Sequence, residues 1–199
     1  MNENNTKNKI IETMYRLVAE KGYDKTSIGQ ISEEIGIKKA SIYYYFKSKE
    51  DIFIQLVKKL YEDDYSDKIG IFDQEVSKAS YQKGLILLGE KFIDAYFENK
   101  NLRKVYAEID IQTTRIPALK EFVRTSNESF KEMLTQGILQ GVKVGAFPKE
   151  FDVTLNAQIL YTLLMGIDQA ILYDLPITPK EVWKESVWKL FDEKEKLKT

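Results

Sequence analysis

Lysines, tyrosines and small hydroxyl residues are concentrated between Lys38 and Lys49, and these residue types suit contact with DNA. Lysine and tyrosine side chains reach the phosphate backbone, whereas small side chains let a helix approach base edges in the major groove. Histidine and cysteine are absent from the chain, which excludes a Ser-His-Asp triad, a Cys-His pair and the commonest zinc and iron sites. We therefore assign no catalytic residue, no metal ligand and no cofactor.

Two short helices joined by a tight turn must position these side chains. Ser27 and Gln30 have the spacing of a capping box, which predicts that a helix begins at Ser27. Gly36 supplies the left-handed conformation that ends this helix. The next helix is expected from Lys39 to Tyr45, with Ile42 facing inward.

The outward face of this second helix is the expected reading surface. A rotation of about 100° per residue places Ala40, Ser41 and Tyr44 on the outward side. Lys38 and Lys39 stand at the positive end of the helix, where the helix dipole disfavours cations. Because a broken local rule often marks a functional site, this pair indicates a phosphate contact.

The same segment resembles the DNA-binding domain of the tetracycline-repressor (TetR) family. The resemblance lies in Ile31-Ser32, Ile35-Gly36-Ile37, Ala40-Ser41-Ile42-Tyr43-Tyr44-Tyr45-Phe46 and Ser48-Lys49-Glu50, and it covers about the first 55 residues. It implies an all-α protein of about nine helices, with a three-helix DNA-binding domain at 1–48 and a helical effector-binding and dimerisation domain at 49–199. The residues expected to contact DNA are Thr26, Ser27, Lys38, Lys39, Ala40, Ser41, Tyr43, Tyr44, Tyr45, Lys47 and Lys49.

Some residues depart from the family pattern. Ser32 and Ile35 replace usual alanines, and Lys38 replaces a common capping serine. Gly29 stands where many relatives have an arginine near the DNA. An operator sequence therefore does not carry over from the family.

Charge supports a local DNA contact. The formal net charge is −1, but residues 1–60 hold 11 Lys and Arg against 8 Asp and Glu. This positive charge is modest, so binding to a polyanion is expected to need a dimer. The beginning of the chain lacks the apolar core of a signal peptide, and no run of 18 apolar residues exists for a membrane span. We expect a soluble cytoplasmic protein without membrane contact.

Helices are predicted through the whole chain. The first runs from about Thr6 to Lys21 and the fourth from Lys49 to about Asp67, followed by a loop at Lys68 to Ser77. The last three are expected from Pro117 to about Val144, from Asp152 to about Tyr173, and from Pro179 onward. Residues 159–167 are apolar nearly all round, so their helix must be covered on more than one side. In the family, the last two helices form the homodimer interface.

The resemblance also implies a pocket for a small-molecule effector of unknown identity. The candidate lining residues are Phe92, Tyr96, Tyr106, Phe122, Phe130, Met133, Tyr161, Met165 and Asp168. Stripes of aromatic and sulfur-containing residues are more often plain core than ligand contacts.

Three functions follow as hypotheses. The leading one is a sequence-specific transcriptional regulator, a repressor released from a palindromic double-stranded DNA operator by its effector. The alternative is a helical DNA-organising or protein-interaction module that binds no small molecule. An enzyme is the third, and the chain offers it only carboxylate pairs, with no phosphate loop or dinucleotide fingerprint.

Overall fold

The computed structural model describes residues 3–66 and 77–191, and these form nine α-helices without a strand. They are α1 (Glu3–Lys21), α2 (Ile28–Glu34), α3 (Lys39–Tyr45), α4 (Lys49–Ser66), α5 (Lys78–Glu98), α6 (Lys100–Thr113), α7 (Pro117–Lys143), α8 (Val153–Leu172) and α9 (Pro179–Phe191). The predicted all-α fold is confirmed. The loop expected after α4 lies almost wholly outside the described residues.

The chain divides by packing into two units. The described residues up to Tyr65 and the segment Asn99–Arg124 form the first unit, and the remaining described residues form the second. The first unit thus contains α1 to α4, all of α6 and the beginning of α7. The predicted boundary after residue 48 separates a DNA-binding domain from an effector-binding and dimerisation domain. It is a division by function, unlike these packing units, and it stays a prediction.

Local chemistry sets the helix ends around α2. Ser27 Oγ accepts from the backbone N–H of Gln30 (3.2 Å), and Gln30 Oε1 accepts from the backbone N–H of Ser27 (3.0 Å), which confirms the predicted capping box. Gly22 and Gly36 have φ values of +84° and +70°, so both turns use a conformation that favours glycine. α1 begins three residues before its predicted start at Thr6, because each residue added to an existing helix gains one hydrogen bond.

One apolar core holds the first unit together. Ile42 and Phe46 are 0% and 2% exposed, so the predicted inward side of α3 is confirmed. Their core also includes Met14 of α1, Phe53 of α4 and Ile109 of α6. α3 has only seven residues, and this burial keeps it helical.

Rings packed against glycines define the second unit. The hydroxyl of Tyr81 donates to the carbonyl oxygen of Gly137 (2.9 Å), and a Cβ at Gly141 would lie 2.5 Å from the ring of Tyr81. Likewise, Gly89 lies directly against the indole of Trp183, which is fully buried. Gly141 of α7 therefore allows the ring of Tyr81 in α5 to approach closely.

Of the described helices, α8 alone is long and apolar enough to cross a membrane by length and composition. Core helices of soluble proteins can be as long and as apolar. In this protein, 39% of the apolar stretch of α8 is buried. Its other side is an exposed apolar face, which is described below.

Candidate nucleic-acid interface

The outward side of α3 is exposed as the helical rotation predicts. Ala40 and Ser41 are exposed, and Tyr43 and Tyr44 are 51% and 74% exposed. The ring of Tyr44 lies edge-on to that of Tyr45 at 5.0 Å, and Tyr45 itself is half-buried against the core. The surface therefore combines a methyl group, a hydroxyl group and aromatic rings on one short helix.

Three lysines surround this surface. Lys38 precedes the first turn of α3 and makes no capping hydrogen bond with its side chain, and Lys38, Lys39 and Lys47 are all exposed. The backbone N–H of Lys47 donates to Asp51 (2.9 Å), whose own N–H donates to Ser48 Oγ (3.0 Å), so these two side chains cap the start of α4. All three lysine side chains are therefore accessible to solvent.

Thr26 and Ser27 shape the start of α2. Thr26 is 2% exposed, and its hydroxyl donates to the carbonyl oxygen of Gly22 (2.9 Å). Ser27 is exposed, but its side chain accepts the capping hydrogen bond from Gln30. In this structure, both hydroxyl groups serve the backbone of the turn.

Lys49 also has a partner inside the protein. Its Nζ donates to the carbonyl oxygen of Tyr23 (3.0 Å) and lies 4.0 Å from the centre of the Tyr23 ring. Burial lowers the pKa of Lys49, since it penalises the charged form. The sequence shows a lysine close to α3, but it holds no signal of this distant partner.

Sequence reasoning missed the contacts that hold the turn between α1 and α2. The backbone N–H of Tyr23 donates to Glu108 Oε2 (3.2 Å), and a Cβ at Gly22 would lie 2.8 Å from Glu108 Oε1. Arg115 forms an ion pair with Asp24 at 2.9 Å. Glu108 of α6 and Arg115, which follows α6, therefore hold this turn from positions 85 and 91 residues away along the chain.

The nine candidate effector residues are divided between the two units. Tyr106 and Phe122 lie in the first unit, where each packs edge-on against Tyr61. In the second unit, Phe130 packs against Phe92 and Tyr161, with ring centres 4.8 and 5.9 Å apart. The remaining candidates also belong to the second unit; Tyr96 is buried, and Met133, Met165 and Asp168 are half-buried.

An open apolar groove lies elsewhere in the second unit, on the exposed side of α8. Its volume is about 680 Å³, and none of the nine effector candidates lines it. Leu155 and Ile159 are 51% and 47% exposed, although both are apolar. The lining residues are Leu155, Gln158, Ile159, Thr162, Leu163, Gly166, Ile167, Ala170, Ile177 and Val182.

Comparison with known proteins agrees with this geometry. The profile of the family described as "Bacterial regulatory proteins, tetR family" matches residues 10–56, which include α2 and α3. The chain is 30% identical to IcaR of Staphylococcus aureus, a negative transcriptional regulator of the biofilm operon icaADBC. That similarity covers 64% of this chain and 77% of IcaR.

Solved structures share the fold over nearly the full length. A TetR transcription regulator from Haloarcula marismortui superposes with a TM-score of 0.77 at 22% identity, covering 94% of this chain and 95% of its own. FadR from Bacillus subtilis, in complex with stearoyl-CoA, superposes with a TM-score of 0.73 at 20% identity, covering 92% and 97%. The chain is therefore a DNA-binding transcriptional regulator rather than an enzyme, and it belongs to the TetR family.

Proposed function

We propose that this protein is a cytoplasmic repressor that binds a palindromic operator as a homodimer and leaves it when a small-molecule effector binds. The observation that supports DNA docking is the exposed surface of α3, with Ala40, Ser41 and Tyr44 outward and lysines around it. Two copies would place their α3 helices in successive major grooves, about 34 Å apart. The effector favours a conformation in which this spacing no longer fits the operator.

The expected DNA-binding residues fall into three groups in this proposal. Ala40, Ser41, Tyr44 and Tyr45 face or border the bases, and Tyr43, Lys38, Lys39 and Lys47 contact phosphates. Thr26, Ser27 and Lys49 border the DNA, and their present hydrogen bonds shape the turn that presents α3. A phosphate contact by Lys49 would require its Nζ to leave the Tyr23 carbonyl.

The salt dependence of DNA binding distinguishes a lysine that contacts phosphate from one that only positions the turn. Lys47→Ala should lower affinity for every DNA sequence and reduce the slope of log K against log salt by about 1. Lys49→Ala should lower affinity with an unchanged slope if the lysine only positions the turn. An unchanged slope for Lys47→Ala would contradict the proposed phosphate contact.

The apolar groove of α8 supports the homodimer. Contiguous apolar surface of this kind usually marks an interface, and a second copy presents the same stripe of small and aliphatic residues. Ile159→Glu should therefore produce monomers and abolish tight operator binding. Leu87→Glu is the matched control, because Leu87 of α5 is also 47% exposed and lies outside the groove. A dimeric Ile159→Glu protein would refute this interface.

The effector is proposed to bind in the second unit, where Phe92, Phe130 and Tyr161 pack together. The further candidates there are Tyr96, Met133, Met165 and Asp168. Two other candidates, Tyr106 and Phe122, lie in the first unit and are therefore separate from this proposed site. Stearoyl-CoA, the ligand of the structural neighbour FadR, is the first compound to test. Tyr161→Trp should change the response to an effector while leaving operator affinity without effector intact.

One experiment tests the whole proposal. The purified protein is used to select duplexes from a random pool at fixed salt, with and without a library of acyl-CoA esters and other metabolites. The expected result is a palindrome whose enrichment disappears with one class of compound. A palindrome that no compound releases would favour an effector-free DNA-organising protein, and the absence of any enrichment would refute sequence-specific binding.

A further inference from the structure

The recognition surface lacks the side chains that most often read guanine and adenine. No arginine occurs between Arg16 and residue 100, and Arg16 of α1 is paired with Glu20 (2.6 Å) and Glu34. No asparagine occurs between residues 9 and 98, and Gln30 uses its amide oxygen in the capping box of α2. Guanine is most often read by bidentate Arg or Lys, and adenine by Asn or Gln. Of the side chains that most often read guanine, this surface therefore retains only lysines.

The lysines, however, are not at the centre of the exposed face. Taking the buried Ile42 as the inward direction, Ala40 and Tyr44 each lie about 160° away around the helix, and Lys39 only about 60° away. Lys39 is therefore on the same flank as Tyr43, which lies at about 100°. The centre of the face presents a methyl group and an aromatic ring that is 74% exposed.

We propose that α3 reads the C5-methyl groups of thymine through Ala40 and Tyr44, so that the centre of each operator half-site consists of A·T pairs. This inference rests on the proposed function, since α3 must first occupy the major groove. Thymine is the one base that presents an apolar group there, and apolar side chains recognise it. Lys39 and Tyr43 then meet the phosphates beside the groove, which fix the register.

Sequence selection with the full chain provides the first test. Half-sites should be enriched with T·A or A·T pairs at their centres and with no fixed G·C pair there. Fixed G·C pairs at the half-site centre would overturn the inference and leave the proposed function standing. Failure to enrich any palindrome would instead refute the proposed function, so the two failures are distinguishable.

A methyl-deletion scan provides the second test. In the selected operator, each thymine is replaced in turn by deoxyuridine, which lacks only the C5-methyl group. Affinity should fall by about fourfold for each contacted methyl, the factor expected when one buried methyl group is lost. An operator that tolerates deoxyuridine at every position would overturn the inference. This scan uses the unaltered protein, so its outcome does not depend on the folding of a variant.

Variants then assign each methyl group to a side chain. Tyr44→Ala should lose the penalty for deoxyuridine at one position of each half-site while keeping it at the other, and Ala40→Gly should show the reverse. Tyr43→Phe is the matched control; it should weaken binding to all sequences and keep both penalties. Deoxyuridine penalties that persist unchanged in both Tyr44→Ala and Ala40→Gly would overturn the assignment to these two residues.

Discussion

The two units of the molecule hold their helices in different ways. In the first unit, charged side chains hold one turn beside the apolar core: Glu108 accepts from the backbone N–H of Tyr23, Lys49 donates to the Tyr23 carbonyl oxygen, and Arg115 pairs with the carboxylate of Asp24. In the second unit, aromatic rings fill the space that glycines leave, as at Trp183 against Gly89. Only the first kind of contact can break and re-form without moving a packed core.

This difference indicates where the protein can adjust. Where a ring packs directly on a glycine, the distance between the two helices is fixed, because close-packed interiors resist small displacements. The exposed ion pair of Arg115 with Asp24 costs little to exchange for water, and the two hydrogen bonds at Tyr23 cost more because they are partly buried. Loss of the contacts at this turn would therefore loosen the start of α2, whereas a shift of α6 as a whole would also disturb the core, because Ile109 packs there.

Gly89→Ala should have the largest effect on stability. The added methyl would overlap the buried indole of Trp183, whose Nε1 is fixed by a hydrogen bond to the carbonyl oxygen of Ile86 (2.9 Å). Overpacking of this kind costs about 3 kcal/mol of unfolding free energy. Gly29→Ala in α2 is the control, because its methyl would meet only Ser27 Oγ at 3.7 Å, and it should stabilise slightly. Equal urea midpoints for the two variants would contradict the comparison.

Tyr81→Phe should have the next largest effect. It removes the hydrogen bond to the Gly137 carbonyl from a side chain that is only 1% exposed. The expected loss is about 1.5 kcal/mol, measured by thermal or urea unfolding. Tyr173→Phe, at a site that is 66% exposed, should change stability very little. If both variants behaved alike, the Tyr81 hydroxyl would not be a structural contact.

Glu108→Ala should cost about 1 kcal/mol, the usual contribution of a single hydrogen bond. It leaves the Tyr23 N–H without its carboxylate and loosens the turn before α2. Operator affinity should also fall, with an unchanged salt slope. Glu108→Gln keeps an acceptor at the same place and should restore most of the affinity. A Glu108→Ala protein with full operator affinity would show that the hydrogen bond between Glu108 and Tyr23 does not position α3.

Arg115→Ala should have the smallest effect, below about 0.5 kcal/mol. The side chains of its ion pair with Asp24 are 55% and 70% exposed, so water screens the attraction. Unfolding at low and at high salt should reveal only a small difference from the native protein. A loss as large as that of Glu108→Ala would mean that the surface pair contributes to the turn as much as the carboxylate at Tyr23 does.

Local signals in the sequence predicted local structure well. The capping box at Ser27, the left-handed Gly36 and the proline that opens α7 all lie where the sequence places them. The 100° rotation also identified the exposed side of α3, because burial of Ile42 alone sets the orientation of a short helix. These features depend on neighbours within a few residues.

Contacts between distant parts of the chain were not predictable in this way. Periodicity shows that Tyr106 and Phe130 belong to apolar faces, but not that they pack in different units. The partners of Tyr23 come from α4 and α6, 26 and 85 residues away. No local pattern encodes such pairs, so the role of Lys49 in the turn was missed.

The engagement of Lys49 has a consequence for counterion release. The ammonium group of Lys49 is held at Tyr23. The exposed lysines that the proposed interface retains in each copy are then Lys38, Lys39 and Lys47. Six lysines in a dimer correspond to a slope of about −5 for log K against log salt, or a loss of roughly a thousandfold between 50 and 200 mM. On the proposed function, a rise in intracellular ionic strength would then empty the operator without any effector.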